Sequence, residues 1–325
     1  MLRRLIGLAL CLAALSSALV ATPASAETME PVDVVGQAAP KLVPHSRLPG
    51  AGAFEGPVRT LAVNGIEIGY RQFGHGPDLI MVTGDTAPMS LWLPYLLHPL
   101  ARSFTVTIFD NRGVGYTTDD LSRPITVPLM ARDTGQLIEA LGLVKPTLVG
   151  WSMGGEIGIT LAEQQPSMLG ALVTTGGDAG SSHTVPPPPA LIRELADPKT
   201  GDKVFLELLF PPTAAGGAAT ARFIHGYESV PQEKVSARTL KRQEAAEEEF
   251  LRYSGTWRGL AGITTPTLLT NGALDRGVPP INARRMHAKI PGSSLSIYAG
   301  AAHGMAFQDA ERFAAQIAAF SARAR

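Results

Sequence analysis

The feature that most constrains this chain is Gly150-Trp151-Ser152-Met153-Gly154-Gly155. It is set between a short apolar run, Pro146-Thr147-Leu148-Val149, and a helix-like stretch from Glu156 to Glu163. Strand, sharp turn and helix form the context in which Gly-x-Ser-x-Gly makes a nucleophile elbow. Such a turn forces the serine into strained backbone angles and needs small neighbours, so that strand and helix can approach. Gly150, Gly154 and Gly155 meet that need. The Ser152 hydroxyl is thereby raised above the sheet edge, and the Met153 N–H points to where an oxyanion would form. A glycine-rich turn with an incidental serine has the same pentapeptide; the flanking strand and helix are what favour the elbow.

Around this turn the chain alternates strands and helices. Arg59 to Val63, a turn at Asn64-Gly65, and Ile66 to Arg71 read as a hairpin. Leu79-Ile80-Met81-Val82 is a continuous apolar run, as in a strand buried on both faces. Leu91 to Leu100 reads as a helix, Phe104 to Phe109 as a strand, and Leu129 to Leu141 as a helix capped by Gly142. After the elbow come a strand at Leu169 to Thr175, a strand at Thr267 to Gly272, and a helix at Ile281 to Ile290. Leu295 to Tyr298 is a last strand, and an amphipathic helix from Ala310 to Ala322 closes the chain. The pattern predicts an α/β fold with a mostly parallel central sheet flanked by helices.

The alternation breaks over residues 181–260, where Pro186 to Pro189 open a region of helix-like pieces. These are Ala190 to Ala196, Lys203 to Phe210 and Val235 to Tyr253, divided by Pro211-Pro212 and the small-residue run Ala214 to Ala219. An inserted helical cap is expected there, between a first core segment at 58–180 and a second at 261–325.

A serine hydroxyl needs a base within hydrogen-bond reach and an acid to orient that base. On a strand–turn–helix elbow these follow in the order serine, acid, histidine. His303, in Gly300-Ala301-Ala302-His303-Gly304 just beyond an apolar strand, is the candidate base. Asp275, after the preceding strand and 28 residues before His303, is the candidate acid, with Asp178 as its rival. The second oxyanion donor is expected from the loop after the third strand, at the Asp85 N–H; the assignment concerns the backbone only, since a carboxylate pointing at the oxyanion would be unhelpful. Trp151 and Trp92 are candidates for the pocket wall. His98, His183, His225 and His287 have no metal-ligand spacing, although His183 and His225 would line a pocket if the cap folds over the site. No metal site, phosphate loop or dinucleotide fingerprint is expected, and therefore no cofactor.

With these residues in place, the chain resembles the α/β-hydrolase fold superfamily in its capped branch, from about Val58 to the C-terminus. Phe109-Asp110-Asn111-Arg112-Gly113-Val114-Gly115-Tyr116 is similar to the family's Asp-x-Arg-Gly-x-Gly-x-Ser turn, with Tyr116 in place of serine. Thr83-Gly84 stands where the family usually has His-Gly. Serine at the nucleophile position disfavours the dehalogenase and epoxide hydrolase chemistries, which use aspartate. The resemblance implies an acyl-enzyme mechanism on an ester or lactone. Its alternatives are amide, thioester or carbon–carbon bond hydrolysis, cofactor-free perhydrolysis, and a receptor-like protein that binds a small ligand with little turnover.

The N-terminus carries a further expectation. Arg3-Arg4, an apolar stretch from Leu5 to Val20, and Ala24-Ser25-Ala26 have the order of an export signal, residues 1–26. A Pro-, Ala- and Gly-rich leader, residues 27–57, follows it. The sole cysteine, Cys11, falls inside the signal, so the exported chain is expected to be free of disulfides and of a membrane anchor, in the periplasm or outside the cell. Lys plus Arg and Asp plus Glu balance at 28 each, which argues against a nucleic-acid groove; the partner that the resemblance implies is a small acyl substrate.

Overall fold

The computed structural model of the protein describes residues 57–325 apart from 198 and 200. The expected export signal and all of the leader but its last residue lie outside the described residues. Eight strands form one sheet in the order β1-β2-β4-β3-β5-β6-β7-β8. They are β1 (Arg59–Val63), β2 (Ile66–Gly74), β3 (Asp78–Val82), β4 (Thr105–Phe109), β5 (Thr147–Trp151), β6 (Ala171–Thr175), β7 (Thr267–Gly272) and β8 (Ser294–Tyr298). β1, β2 and β4 pair antiparallel, and every pairing from β4 to β8 is parallel. The hairpin turn uses Asn64 and Gly65, both at positive φ, the turn chemistry that matches strand twist.

Helices cover both faces, and apart from Asp78 every residue of β3, β4, β5, β6 and β7 is buried. Alternate residues serve opposite layers. Leu79, Met81 and Val149 pack into a core with α1 (Pro94–Ala101) and the terminal α10 (Ala310–Ala324). Ile80, Val82 and Leu148 pack into the other, with α2 (Val127–Ala140), α3 (Met153–Gln164) and α8 (Ile281–Lys289). Each such side chain removed from water contributes about 1.5–3 kcal/mol, which holds the sheet between its helices without disulfides.

Between β6 and β7 the chain inserts α4 (Pro189–Ala196), α5 (Gly201–Leu209), α6 (Ala214–Glu228) and α7 (Ala237–Glu249). The helix α6 corrects one expectation: the small-residue run from Ala214 is its first turns, not a break. Thr213 caps it by accepting from Gly216 N–H, and Gly216 packs where a Cβ would stand 1.8 Å from the Pro211 carbonyl oxygen. Helix-favouring alanines and a hydroxyl cap outweigh two glycines in the first turn. A short helix, α9 (Met305–Gln308), precedes α10.

β3 and β5 are neighbours, but the chain leaves them toward opposite edges of the sheet, β3 to β4 and β5 to β6. Ligands of open α/β sheets bind at the carboxyl ends of strands flanking such a switch point. The loop 83–86 and Ser152 meet there.

The elbow makes a stability demand. A Cβ on Gly154 would lie 2.1 Å from the carbonyl oxygen of Val82, in backbone of the central strand that cannot swing aside. Gly154→Ala is therefore expected to push α3 off β3, at a cost of about 3 kcal/mol. That corresponds to a fall in Tm on the order of 10 °C. Differential scanning fluorimetry checks it; an unchanged Tm would mean that α3 and β3 are not packed this closely.

Candidate active site

Ser152 has φ 56° and ψ −128°, a conformation that a non-glycine residue holds only when its surroundings impose it. Those surroundings are the Ser152 N–H donated to the Thr175 carbonyl at 2.9 Å and the Ser152 carbonyl accepting from Gly155 N–H at 2.7 Å. Met153 is the first residue of α3, so its N–H belongs to the group of helix-terminal donors that favour negative charge. Gly84 and Asp85 lie across the switch point; a Cβ on Gly84 would stand 3.0 Å from that of Ser152. Both expected oxyanion residues thus flank Ser152.

His303 Nδ1 is hydrogen-bonded to Asp275 Oδ2 at 2.8 Å, with both side chains buried. The other Asp275 oxygen accepts the N–H groups of Gly277 and Val278, each at 2.9 Å, so the carboxylate cannot rotate away. β7 and β8 are parallel neighbours, and this is what brings the loops carrying the two residues together. Asp178 does something else. Its Oδ1 accepts from Gly180 N–H at 2.7 Å and from the Thr184 hydroxyl at 3.0 Å, closing the turn that leads into the inserted helices. Gly176, at φ 60°, passes so near the imidazole that a Cβ would lie 3.0 Å from its Nδ1.

Ser152, His303, Trp151, Gly84 and Asp85 line one small cavity of about 40 Å³. The inserted helices complete its wall with Phe205 and Leu208 of α5 and Glu247 of α7. Trp151 also donates its indole N–H to the His303 carbonyl at 3.0 Å. Trp92 is placed elsewhere: it is wholly buried, tilted against Phe307 with centroids 5.9 Å apart, and is not among the residues lining this cavity. His183 stacks on Trp257, and His225 is exposed on α6.

Several positioning residues have no sequence signature. Gln243 of α7 is fully buried, accepts the Thr86 N–H at 2.7 Å and donates to the Arg112 carbonyl at 2.8 Å. It ties the loop 83–86 to the inserted helices. At the end of α5 the Leu208 and Leu209 carbonyls accept the N–H groups of His303 and Gly304, at 3.1 and 2.8 Å. The inserted helices therefore hold two of the loops that surround Ser152.

The electrostatics are dominated by carboxylates. Burial, followed by the charges of Asp178, Glu247 and Asp85, holds Glu156 well above the usual range, and Glu247 is raised in the same way. Asp178 is pushed up to about 6 by burial. Asp110, buried beneath the N–H groups of Tyr116 and Met89, is pushed up to about 7. The folded protein thus keeps protons that an unfolded chain releases near pH 4. Their contribution is full below that pH and is lost as pH rises through about 7. Tm is therefore expected to fall between pH 5 and pH 7.5, as thermal scans across that range would show; a Tm that rises over it would contradict the burial of these acids.

The family described as alpha/beta hydrolase fold matches residues 79–310. The proposed carbamate hydrolase RutD of Caulobacter sp. (strain K31) is 27% identical over 267 residues, covering 77% of this chain and 94% of that protein. The 2-hydroxy-6-oxononadienedioate/2-hydroxy-6-oxononatrienedioate hydrolase 2 of Pseudomonas putida is 26% identical over 263 residues, covering 76% and 89%. Among solved structures, an alpha/beta hydrolase fold protein from Chitinophaga pinensis superposes with a TM-score of 0.72 at 26% identity, over 81% of this chain and 96% of that one. The fold, the turn at Ser152 and these similarities agree: the chain belongs to the alpha/beta hydrolase fold family.

Proposed function

We propose that the protein is a serine hydrolase that cleaves a carboxylic ester or lactone through an acyl-enzyme. The observation that carries this is the convergence on one cavity of a conformationally forced serine and a histidine held by a buried aspartate. Ser152 attacks the carbonyl while His303 Nε2 takes its proton; the Asp275 carboxylate keeps the Nδ1 proton in place and stabilises the imidazolium. The N–H groups of Asp85 and Met153 receive the oxyanion. His303 then returns the proton to the leaving alcohol, and water releases the acyl group by the reverse sequence.

The acidic surroundings weigh against a dianionic substrate of the kind named for the P. putida relative. At a pH high enough to ionise them, Glu156, Asp178 and Glu247 would repel a second carboxylate near the serine, whereas a neutral ester or lactone meets no such penalty. The N-terminal pattern supports a location in the periplasm or outside the cell, with Glu27 as the first residue of the exported chain; N-terminal sequencing of the protein from fractionated cells tests that part.

The activity is tested with p-nitrophenyl esters of increasing acyl length. Turnover continuing well past one equivalent, with an optimum length, is the expected result. A burst that stops at one equivalent at every length would support a ligand-binding role instead.

A further inference from the structure

A second cavity, of about 450 Å³, adjoins the first: Glu247, Gly277 and Val278 line both. A space of about 40 Å³ holds little more than a few waters, whereas substrate pockets run to several hundred Å³. Most of a substrate whose carbonyl sits at Ser152 must therefore extend into the larger space. Carboxylates from three elements line that space: Glu156 of α3, Asp178 after β6, and Glu247 of α7. Glu156 is 1% exposed, and its Oε2 has no hydrogen-bond partner among the described residues. A carboxyl oxygen buried without a partner is costly to a folded protein, so the position calls for a donor from outside the chain. The charged neighbours that act on Glu156 and Glu247 are themselves carboxylates, Asp85 among them. Of the arginines lining the cavity, Arg252 is paired with Glu248 at 3.0 Å and Arg193 is exposed. Val185, Pro186, Ile192 and Leu251 supply apolar wall.

Resting on the serine hydrolase reading, we propose that the larger cavity takes the protonated amine end of the substrate, held by Glu156, Asp178 and Glu247 and joined by an apolar stem to the carbonyl at Ser152. An ammonium brings three donors to a cluster in which Glu156 Oε2 has none among the described residues, and its charge favours the ionised form of the acids around it. A divalent metal is the weaker occupant, because no group of three or more His, Cys, Asp or Glu among the described residues is arranged to hold one.

The test separates this pocket from the chemistry. Binding of n-butylamine, n-pentylamine and n-hexylamine is measured by calorimetry at pH 8, where they are protonated, beside the matching alcohols. The amines are expected to bind at least about 10-fold more tightly than the alcohols, and the preference to be lost in Glu156→Gln and in Glu247→Gln. Equal binding of amine and alcohol, no binding of either, or a preference unchanged in both variants would overturn the proposal. If amines bind in this way but no ester is turned over, the hydrolase reading fails and the pocket stands. If esters are turned over and amines do not bind, the pocket fails and the hydrolase reading stands.

Discussion

Ser152→Ala is expected to lower turnover of a simple ester by about 10⁴- to 10⁶-fold, the loss seen when an activated serine nucleophile is removed. The effect is this large because the small cavity is lined by no other hydroxyl and by no thiol among the described residues. The cavity's other polar side chains are the carboxylates Asp85 and Glu247, the Trp151 indole and His303 itself. The residual rate would come from the oxyanion donors and binding alone. Because Ser152 makes no side-chain cap to α3, its hydroxyl has no structural role there to lose. The alanine protein should unfold within a few degrees of the wild type, and matched thermal scans would separate chemistry from folding. Activity within 10-fold of wild type would mean that Ser152 is not the nucleophile.

Asp275→Asn is the second large effect, expected to lower kcat by about 10⁴-fold with little change in KM. The argument is one of tautomers. With a carboxylate 2.8 Å away, His303 Nδ1 must carry the proton, which leaves Nε2 free to accept one from Ser152. An asparagine amide placed there would donate to Nδ1 and put the proton on Nε2, where it blocks the serine. The asparagine oxygen can still accept from Gly277 and Val278, so the turn survives. On a simple ester with no amine end, Asp178→Asn should leave kcat within a few-fold, because that side chain binds Gly180 and Thr184 and not His303. Steady-state kinetics on the two variants decide between the acids: a large loss for Asp178 and a small one for Asp275 would reverse the assignment.

What was legible in the sequence follows from which interactions are local. The continuous apolar run Leu79-Ile80-Met81-Val82 announced a strand buried on both faces, and β3 is buried from Leu79 to Val82. Gly-x-Ser-x-Gly announced the positive φ at Ser152, because only that turn needs small residues on both sides. The order Ser152, Asp275, His303 could be read because parallel neighbours deliver their following loops to one edge.

The inserted helices were harder, since their positions are set by packing and not by local pattern. The Ala214 run looked like a divider because glycines weaken helices, and the Thr213 cap is visible only with hindsight. Glu247 lies in Glu247-Glu248-Glu249, which in sequence looks like a solvated face; only the fold turns one of the three toward the serine. Glu156 left a trace that sequence reasoning passed over. A carboxylate four residues after the nucleophile, followed by Ile157, Ile159 and Leu161, breaks the apolar first half of the helix Met153–Gln164. Gln243 left none, because a glutamine's partners lie in loops more than a hundred residues away.

The most direct test of the central claim is to treat the protein with diethyl p-nitrophenyl phosphate and map the product by mass spectrometry. Displacement of p-nitrophenolate by an activated serine leaves a diethylphosphoryl group that histidine and water remove slowly. One equivalent of p-nitrophenolate, one adduct on the peptide containing Ser152, and loss of esterase activity in step with labelling are expected. An adduct on another residue, or full activity in a protein that takes no label, would contradict the account.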